Sequence, residues 1–146
     1  MRSPLCRRLA LTFLIVSTLA VSACGDKRAS SDTPAKVVHV TERDFRISAP
    51  DRLPAGDVEL EVENEGPDDH ELIVVREGAK HLPFRADGMT LDEEAAERSK
   101  SIAGALEPAA PGTHRLRVHL TPGRYVLFCN MSGHYLGGMD REVVVR

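Results

Sequence analysis

Three side chains with metal-binding chemistry follow one another at even spacing near the end of the 146-residue chain. Cys129 is followed five residues later by His134, and Met139 comes five residues after His134. A thiolate, an imidazole and a thioether are soft to borderline donors, and this combination favours copper over calcium, magnesium or manganese. A trigonal site of two histidines and one cysteine, with a weak axial methionine, needs one further histidine.

His70 is the candidate for that second histidine. It stands where a turn containing glycine and proline meets the predicted strand at residues 70–75. In an antiparallel sandwich, the start of this strand can lie at the same end as the loop that follows Cys129. The predicted ligands of one copper ion are therefore His70, Cys129, His134 and Met139.

Each of these residues, taken singly, has a simpler interpretation. Cys129 can be a small buried hydrophobe, His134 a polar loop residue and Met139 a core side chain. The number of cysteines favours the metal site. The chain has three, Cys6, Cys24 and Cys129, and an odd number cannot form a fully paired disulfide scaffold. A thiol that remains free in an exported protein is expected to oxidise or pair unless something occupies it.

The N-terminal segment has the features of an export signal. Residues 1–8 contain arginines and no acid, and a short apolar run follows from Leu9 to Val21. This run is too short to span a bilayer as a mature helix, so residues 1–23 are predicted to be a secretory signal peptide; a transmembrane anchor is the alternative. The residues Val21-Ser22-Ala23-Cys24 resemble the bacterial lipoprotein signal. The resemblance implies that acyl chains such as palmitate are attached to Cys24, which becomes the new N-terminus.

Export and lipidation together imply a protein held at the extracytoplasmic face of the cell membrane. Two or more acyl chains anchor a protein firmly to a membrane surface. The residues after Cys24 are small and polar and lack periodicity, so residues 24–35 are predicted to be the lipidated cysteine and a flexible tether. Because Cys6 leaves with the signal peptide and Cys24 carries lipid, Cys129 is the one free cysteine of the mature chain.

The remaining residues, 36–146, have the apolar periodicity of strands. Apolar residues alternate with polar ones in several segments, and two continuous apolar runs suit central strands. The predicted strands lie at residues 38–41, 45–48, 58–63, 72–75, 115–120, 125–128 and 143–145. Turn signals separate them, so we predict an all-β domain, an antiparallel Greek-key β-sandwich of about seven or eight strands.

One segment departs from this pattern. Residues 91–100 are strong helix formers, and Thr90 stands three residues before Glu93, as in a capping box. This indicates a short helix inserted between two strands, where it covers one side of the sandwich. We expect a structural spacer, with a docking role as the alternative.

The C-terminal motif resembles the cupredoxins, the type 1 blue copper proteins. The matching residues are Asn64-Glu65-Gly66, His70, Pro122-Gly123-Arg124-Tyr125, Cys129, Gly133-His134, Gly138-Met139 and Glu142 to Val145. The gaps on either side of His134 are similar to those of longer-loop members such as rusticyanin, auracyanin and sulfocyanin. The resemblance implies a copper ion at one end of the sandwich and one-electron exchange, with His134 as the electron exit and Tyr135 and Leu136 around it. Many members have Asn after the first histidine, where this chain has Glu71.

Composition and missing motifs narrow the function further. The formal net charge of −3 excludes nucleic-acid binding driven by bulk positive charge. The sequence has neither the His-x-His pairs of a multicopper oxidase nor a G-x-S-x-G nucleophile elbow, so it predicts a non-enzyme. We expect a monomer that carries single electrons between extracytoplasmic redox proteins, such as a cytochrome or an oxidase. The alternative is a copper-binding lipoprotein that delivers copper in homeostasis.

The acidic residues of the chain have two interpretations. Glu59, Glu61 and Glu63 alternate along one predicted strand, and we expect them to face Arg115, Arg117 and His119 as cross-strand pairs. Asp68 and Asp69, next to His70, remain open as residues that steer a basic redox partner.

Overall fold

The computed structural model describes residues 35–76 and 82–146. The predicted signal peptide, the lipidation site Cys24 and the tether as far as residue 34 lie outside the described residues. Within the described ranges, no helix has the length and apolar character needed to cross a membrane.

Nine strands and one short helix make up the described part of the chain. In chain order they are β1 (Lys36–Arg43), β2 (Arg46–Ser48), β3 (Arg52–Leu53), β4 (Gly56–Asn64), β5 (His70–Arg76), α1 (Glu93–Arg98), β6 (Ile102–Ala109), β7 (Gly112–Leu120), β8 (Gly123–Phe128) and β9 (Asp140–Val145). They form a four-stranded sheet in the order β2-β1-β4-β7 and a five-stranded sheet in the order β3-β9-β8-β5-β6. The predicted all-β sandwich with one inserted helix is confirmed.

The two sheets are mixed, which corrects the purely antiparallel prediction. β1 pairs with β4 in parallel, and β3 pairs with β9 in parallel. After β2 the chain crosses to the other sheet for β3 and then returns as β4 beside β1, so β4 enters in the same direction as β1. Apolar alternation marks which face of a strand is buried, but it carries no information on strand direction.

Strand β4 shows how the alternating pattern becomes a core face and a charged face. Its apolar residues Val58, Leu60 and Val62 are buried between the sheets. Its acidic residues lie on the outer face opposite β7, in the register Glu59↔Arg117 and Glu61↔Arg115. Arg117 Nε lies 2.9 Å from Glu59, and Arg115 lies 3.0 Å from Glu61. These predicted cross-strand pairs are confirmed.

The register differs from the prediction at both ends of the charged face. His119 lies opposite Asp57, and its Nδ1 is 2.7 Å from the Asp57 carboxylate. Glu63 lies opposite Thr113 and accepts a hydrogen bond from its hydroxyl. In this antiparallel register the third basic residue, His119, therefore pairs with Asp57 and not with a residue of the predicted acidic series.

The continuous apolar runs of β5 and β8 are buried on both faces. One face contributes to the core between the sheets, and the other packs under the segment that follows residue 82. This second cluster contains Ile73, Val75, Leu82, Leu91, Ala96, Val126 and Phe128. The inserted helix therefore covers the outer face of the five-stranded sheet, which is why these two central strands lack polar alternation.

Helix α1 begins two residues later than the capping box predicts. The N-cap is Asp92, whose carboxylate accepts a hydrogen bond of 2.9 Å from the backbone N–H of Ala95. The Thr90 hydroxyl instead donates to Asp87, so it is engaged in the preceding turn. The helix ends at Arg98, because Lys100 adopts a left-handed backbone with φ of +56°.

Phe45 also differs from its predicted place. The alternation with Ile47 predicts that both side chains face the core. Ile47 is buried as expected, but Phe45 lies in the two-residue turn between β1 and β2 and is 53% exposed. Its φ of +58° takes it out of the extended conformation, so its ring leaves the core face.

Candidate metal centre

Two neighbouring strands bring His70 and Cys129 to the same end of the sandwich. His70 is the first residue of β5, and Cys129 directly follows the last residue of β8. The two strands are antiparallel, with Ile73 opposite Phe128, so the start of one lies beside the end of the other. Both side chains are fully buried.

Three of the four predicted ligands converge at this end. One ligand atom each from His70, Cys129 and His134 lie within 4.8 Å of one another. Cys129 Sγ is 3.5 Å from His134 Nδ1, and the centroids of the two imidazole rings are 5.2 Å apart. This group can hold a metal ion, and a cysteine with two histidines is the donor set that suits copper.

His70 has one ring nitrogen that is buried and unused. Its Nε2 lies 3.2 Å from the carboxylate of Asp44, whereas its Nδ1 is buried and has no hydrogen-bond partner. A buried polar atom without a partner is rare in folded proteins and calls for an explanation, such as an ion. The donors in this structure therefore fit a metal ion.

The loop from Cys129 to Met139 is closed by its own backbone. The N–H of Cys129 donates to the carbonyl of Met139 over 3.1 Å, and the N–H of Met139 donates to the carbonyl of His134 over 3.0 Å. Gly133 and Gly138 have φ of +82° and +97°, in the left-handed region that favours glycine. The chain thus returns Met139, which is fully buried, to the position beside Cys129.

The sulfur of Cys129 lies among backbone donors. Burial raises the pKa of this thiol to about 11, while backbone N–H groups of Glu71 and Met131 bond to the sulfur and lower it. Glu71 thus approaches the sulfur through its backbone N–H, which every residue type except proline can provide at this position. Because the thiol is protonated at neutral pH, a metal ion that binds here must displace its proton.

Two carboxyl groups near the site, Glu42 and Glu71, have raised pKa values that the sequence does not predict. Glu42 is fully buried on β1, and its Oε1 has no hydrogen-bond partner. Burial, and then the charge of Glu71, raise the pKa of Glu42 to about 8. Burial, and then the charge of Glu93, raise the pKa of Glu71 to about 7. Glu42 follows Val38 and Val40 at every second residue of β1. This alternation is the sequence feature that could have predicted its burial.

The three residues proposed for electron exit lie at different depths. His134 is partly exposed, and Leu136 is 60% exposed. The ring of Tyr135 packs at 5.3 Å from the ring of Phe84, in the segment that covers the outer face of the sheet. The ring of Phe45 lies 5.3 Å from the imidazole of His134. The surroundings of His134 are therefore aromatic and apolar.

Asp68 and Asp69 are close to His70 in the sequence, but neither carboxylate lies at its ring. Asp68 and Asp69 are exposed, as a residue that meets a partner protein requires. Asp44, the carboxylate that does reach the His70 ring, is 26 residues away in the chain. No motif or periodicity in the sequence connects Asp44 with His70, so only the folded structure reveals the pair.

Comparisons with known proteins support the fold. No protein-family model and no curated protein matches the chain. Reduced auracyanin from the photosynthetic bacterium Roseiflexus castenholzii is a solved structure with a TM-score of 0.57 and 19% identity, over 77% of this chain and 98% of its own. Auracyanin B has a TM-score of 0.57 and 20% identity, over 79% and 91%. The copper protein rusticyanin has a TM-score of 0.50 and 19% identity, over 77% and 79%.

These structures match the described fold over 77–79% of this chain. The identities are low, so the agreement concerns the fold. The convergence of His70, Cys129 and His134 is an independent observation on this chain. The described residues therefore have a cupredoxin-like fold, with a cluster of potential metal ligands at one end of the sandwich.

Proposed function

We propose that this protein binds one copper ion in a type 1 site and carries single electrons between redox proteins outside the cytoplasm. The observation that carries the proposal is the convergence of His70, Cys129 and His134 within 4.8 Å, together with the unpartnered buried Nδ1 of His70. Met139, which is fully buried, would be a fourth and weaker ligand. Copper would supply the one-electron exchange between Cu(I) and Cu(II).

The chain's own contribution is to hold the donors still and to bring one of them to the surface. His70 and Cys129 are fixed by the hydrogen-bonded strands β5 and β8, and the loop between Cys129 and Met139 is closed by its own backbone. Cu(I) and Cu(II) favour different geometries, so a rigid set of ligands reduces the rearrangement that accompanies each electron. The partly exposed ring of His134 gives an electron a short path to a partner protein.

The first test of this proposal is the visible and electron paramagnetic resonance spectrum of the purified protein after addition of Cu(II). We expect an intense thiolate-to-copper band that disappears in Cys129→Ser. His119→Gln is the matched control, because His119 lies on the outer face beside Asp57, and it should leave the band unchanged. A parent protein without this band would contradict the type 1 site.

The membrane tether is a separate part of the proposal. Lipid on Cys24 would hold the domain at the extracytoplasmic face of the cell membrane, and residues 24–35 would allow it to reach its partners. We expect Cys24→Ser to move the protein from the membrane fraction to the soluble fraction, as measured by fractionation and mass spectrometry. A membrane fraction that is the same for Cys24→Ser and the parent would favour a transmembrane anchor.

Retention of copper distinguishes an electron carrier from a copper-delivery protein. Two of the three donors, His70 and Cys129, are fully buried, which favours a resident ion over cargo. Repeated reduction and reoxidation should therefore leave one copper per chain. Loss of copper at each reduction would support delivery instead.

A further inference from the structure

We propose that the two-residue turn formed by Asp44 and Phe45 positions both imidazole ligands of the metal centre. The turn joins β1 to β2, and its two side chains contact different histidines. Asp44 holds the buried ring of His70, and Phe45 packs against the partly exposed ring of His134. This inference rests on the proposed copper function, and its test is designed to separate the two.

The first contact fixes which nitrogen of His70 faces the metal. Asp44 Oδ1 lies 3.2 Å from His70 Nε2, and the opposite nitrogen, Nδ1, is buried without a partner. When a carboxylate accepts a hydrogen bond from Nε2–H, the neutral ring keeps its lone pair on Nδ1. Asp44 therefore presents Nδ1 to the metal and makes it a stronger donor.

A glycine makes room for this pair. A Cβ atom on Gly66 would stand 2.6 Å from Asp44 Oδ1 and 2.7 Å from His70 Nε2. Atoms cannot approach so closely, so any larger residue at this position would push the carboxylate and the imidazole apart. Gly66 is itself held by a hydrogen bond of 3.0 Å from its N–H to the Asn64 side chain. The contact between Asp44 and His70 is thus built by three segments of chain.

The second contact depends on an unusual backbone conformation. Phe45 has a φ of +58°, which is rare for a bulky residue, and its side chain is 53% exposed. Its ring lies 5.3 Å from the ring of His134 at an angle of 59°. Gly137, on the ligand loop, lies so close to this ring that a Cβ atom there would overlap it. Strained residues persist where the surrounding structure requires them, and here the requirement is the contact with His134.

The turn links the two contacts because its residues are adjacent in the chain. Arg43 and Arg46 are opposite each other in the β1–β2 ladder at the base of the turn. Arg43 also forms an ion pair with Glu65, which is next to Gly66. The negative charge of Asp44, passed through the ring of His70, favours Cu(II) over Cu(I). The ring of Phe45 limits the tilt of His134, the residue proposed to pass electrons.

The test for Asp44 uses two variants and a matched control. Asp44→Asn keeps a hydrogen-bond acceptor but removes the negative charge. We expect the preference of the site for Cu(II) over Cu(I) to fall about tenfold, which corresponds to a rise in the reduction potential of about 59 mV. Asp44→Ala removes both, and we expect Cu(II) binding to weaken by about 10–100-fold. Asp57→Asn, which removes the charge beside the surface residue His119, should change neither quantity.

A measurement without metal keeps this test independent of copper. Nitrogen-15 NMR of the metal-free protein, with the ring neutral, should find the proton of His70 on Nε2 in the parent and in Asp57→Asn. In Asp44→Ala we expect a mixture of the two tautomers. A structural role of Asp44 in the turn alone would leave the tautomer unchanged.

The test for Phe45 separates strain from positioning. Phe45→Gly removes the ring and relieves the backbone, so we expect an equal or higher Tm for the metal-free protein. We also expect an altered copper hyperfine splitting in the electron paramagnetic resonance spectrum. Phe45→Leu, which keeps an apolar side chain but no ring, should show the same spectral change. A lower Tm with an unchanged spectrum would mean that Phe45 serves folding, and would overturn its assignment.

The outcomes for the two proposals differ. A parent protein that forms no thiolate-to-copper band contradicts the copper function, and the tautomer of His70 then still decides the role of Asp44. A parent with the band, in which Asp44→Asn matches Asp57→Asn in potential and Asp44→Ala leaves the tautomer unchanged, overturns the positioning role while the copper function stands.

Discussion

Replacement of Glu42 by glutamine tests the cost of keeping a carboxyl group inside the sandwich. Glu42 is 1% exposed on β1, and its Oε1 has no hydrogen-bond partner. Burial raises its pKa from 4.5 to about 8. A carboxyl group whose pKa is raised on folding favours the folded state at low pH, and this contribution is lost as the pH rises from 4.5 to about 8.

The size of the effect follows from the two pKa values. At about pH 7 the carboxyl group is ionised in the unfolded chain but still protonated in the folded protein. The pH is then roughly 2.5 units above the ordinary pKa, and each unit corresponds to about 1.4 kcal/mol, so the free energy of unfolding falls by about 3 kcal/mol. Glu42→Gln is neutral at every pH and escapes this loss. Glu71, whose pKa is also raised, titrates in both proteins, so the difference between them reports the burial of Glu42 together with its repulsion by the charge of Glu71.

The assay is urea unfolding of the metal-free protein at several values between about pH 5 and about pH 8. We expect the free energy of unfolding of Glu42→Gln to increase relative to that of the parent as the pH rises. Glu63→Gln is the matched control, because Glu63 is exposed on β4, and it should follow the parent. If the stability of Glu42→Gln and of the parent changed in parallel with pH, the reasoning on the buried carboxyl group would be wrong.

Three further substitutions test the packing around the site and on the outer face. Asn130→Ala leaves the N–H of Leu91 without its acceptor, whereas the carbonyl of Leu91 keeps its hydrogen bond from Arg85, so unfolding in urea should show a loss of about 1–3 kcal/mol for the one unpaired N–H. Gly104→Ala places a Cβ 2.5 Å from Val118 Cγ1 between the sheets, so we expect a loss of about 1–3 kcal/mol, and an unchanged Tm would contradict the close approach. Arg117→Ala breaks an ion pair on the exposed face of β7, so it should cost at most about 1 kcal/mol, and less at high salt.

The sequence contains enough information to place the site but not all of the strands that surround it. His70 was located because a strand start and a strand end meet in an antiparallel pair, and the structure brings it to Cys129 and His134. Strand β6 was not predicted, because its sequence IAGALEPA has small residues and little alternation. It becomes a strand through pairing with β5, a contact that the local sequence does not encode.

The residues that were missed around the site depend on contacts between distant segments. Asp44 contacts His70 although the two residues are 26 positions apart, and nothing in the sequence near either residue indicates the contact. Phe45 was placed on the core face because alternation cannot distinguish the last residue of a turn from the first residue of a strand. Glu42 lies at an inward-facing position of β1, but acidic residues are rarely buried, so the sequence pattern alone does not predict that this one is.

The backbone bond that closes the ligand loop also separates the length of that loop from the register of the strands. Phe128 and Asp140 are opposite each other in the β8–β9 ladder, and the bond from Cys129 to Met139 extends that ladder by one step. For the sheet, everything between these two residues is a hairpin connection, and doubling the length of a flexible connection costs only about 0.6 kcal/mol. Insertions or deletions within the loop would therefore change the spacing of the ligands while the strands keep their register. One sandwich can in this way carry loops of different length, each with its own coordination geometry.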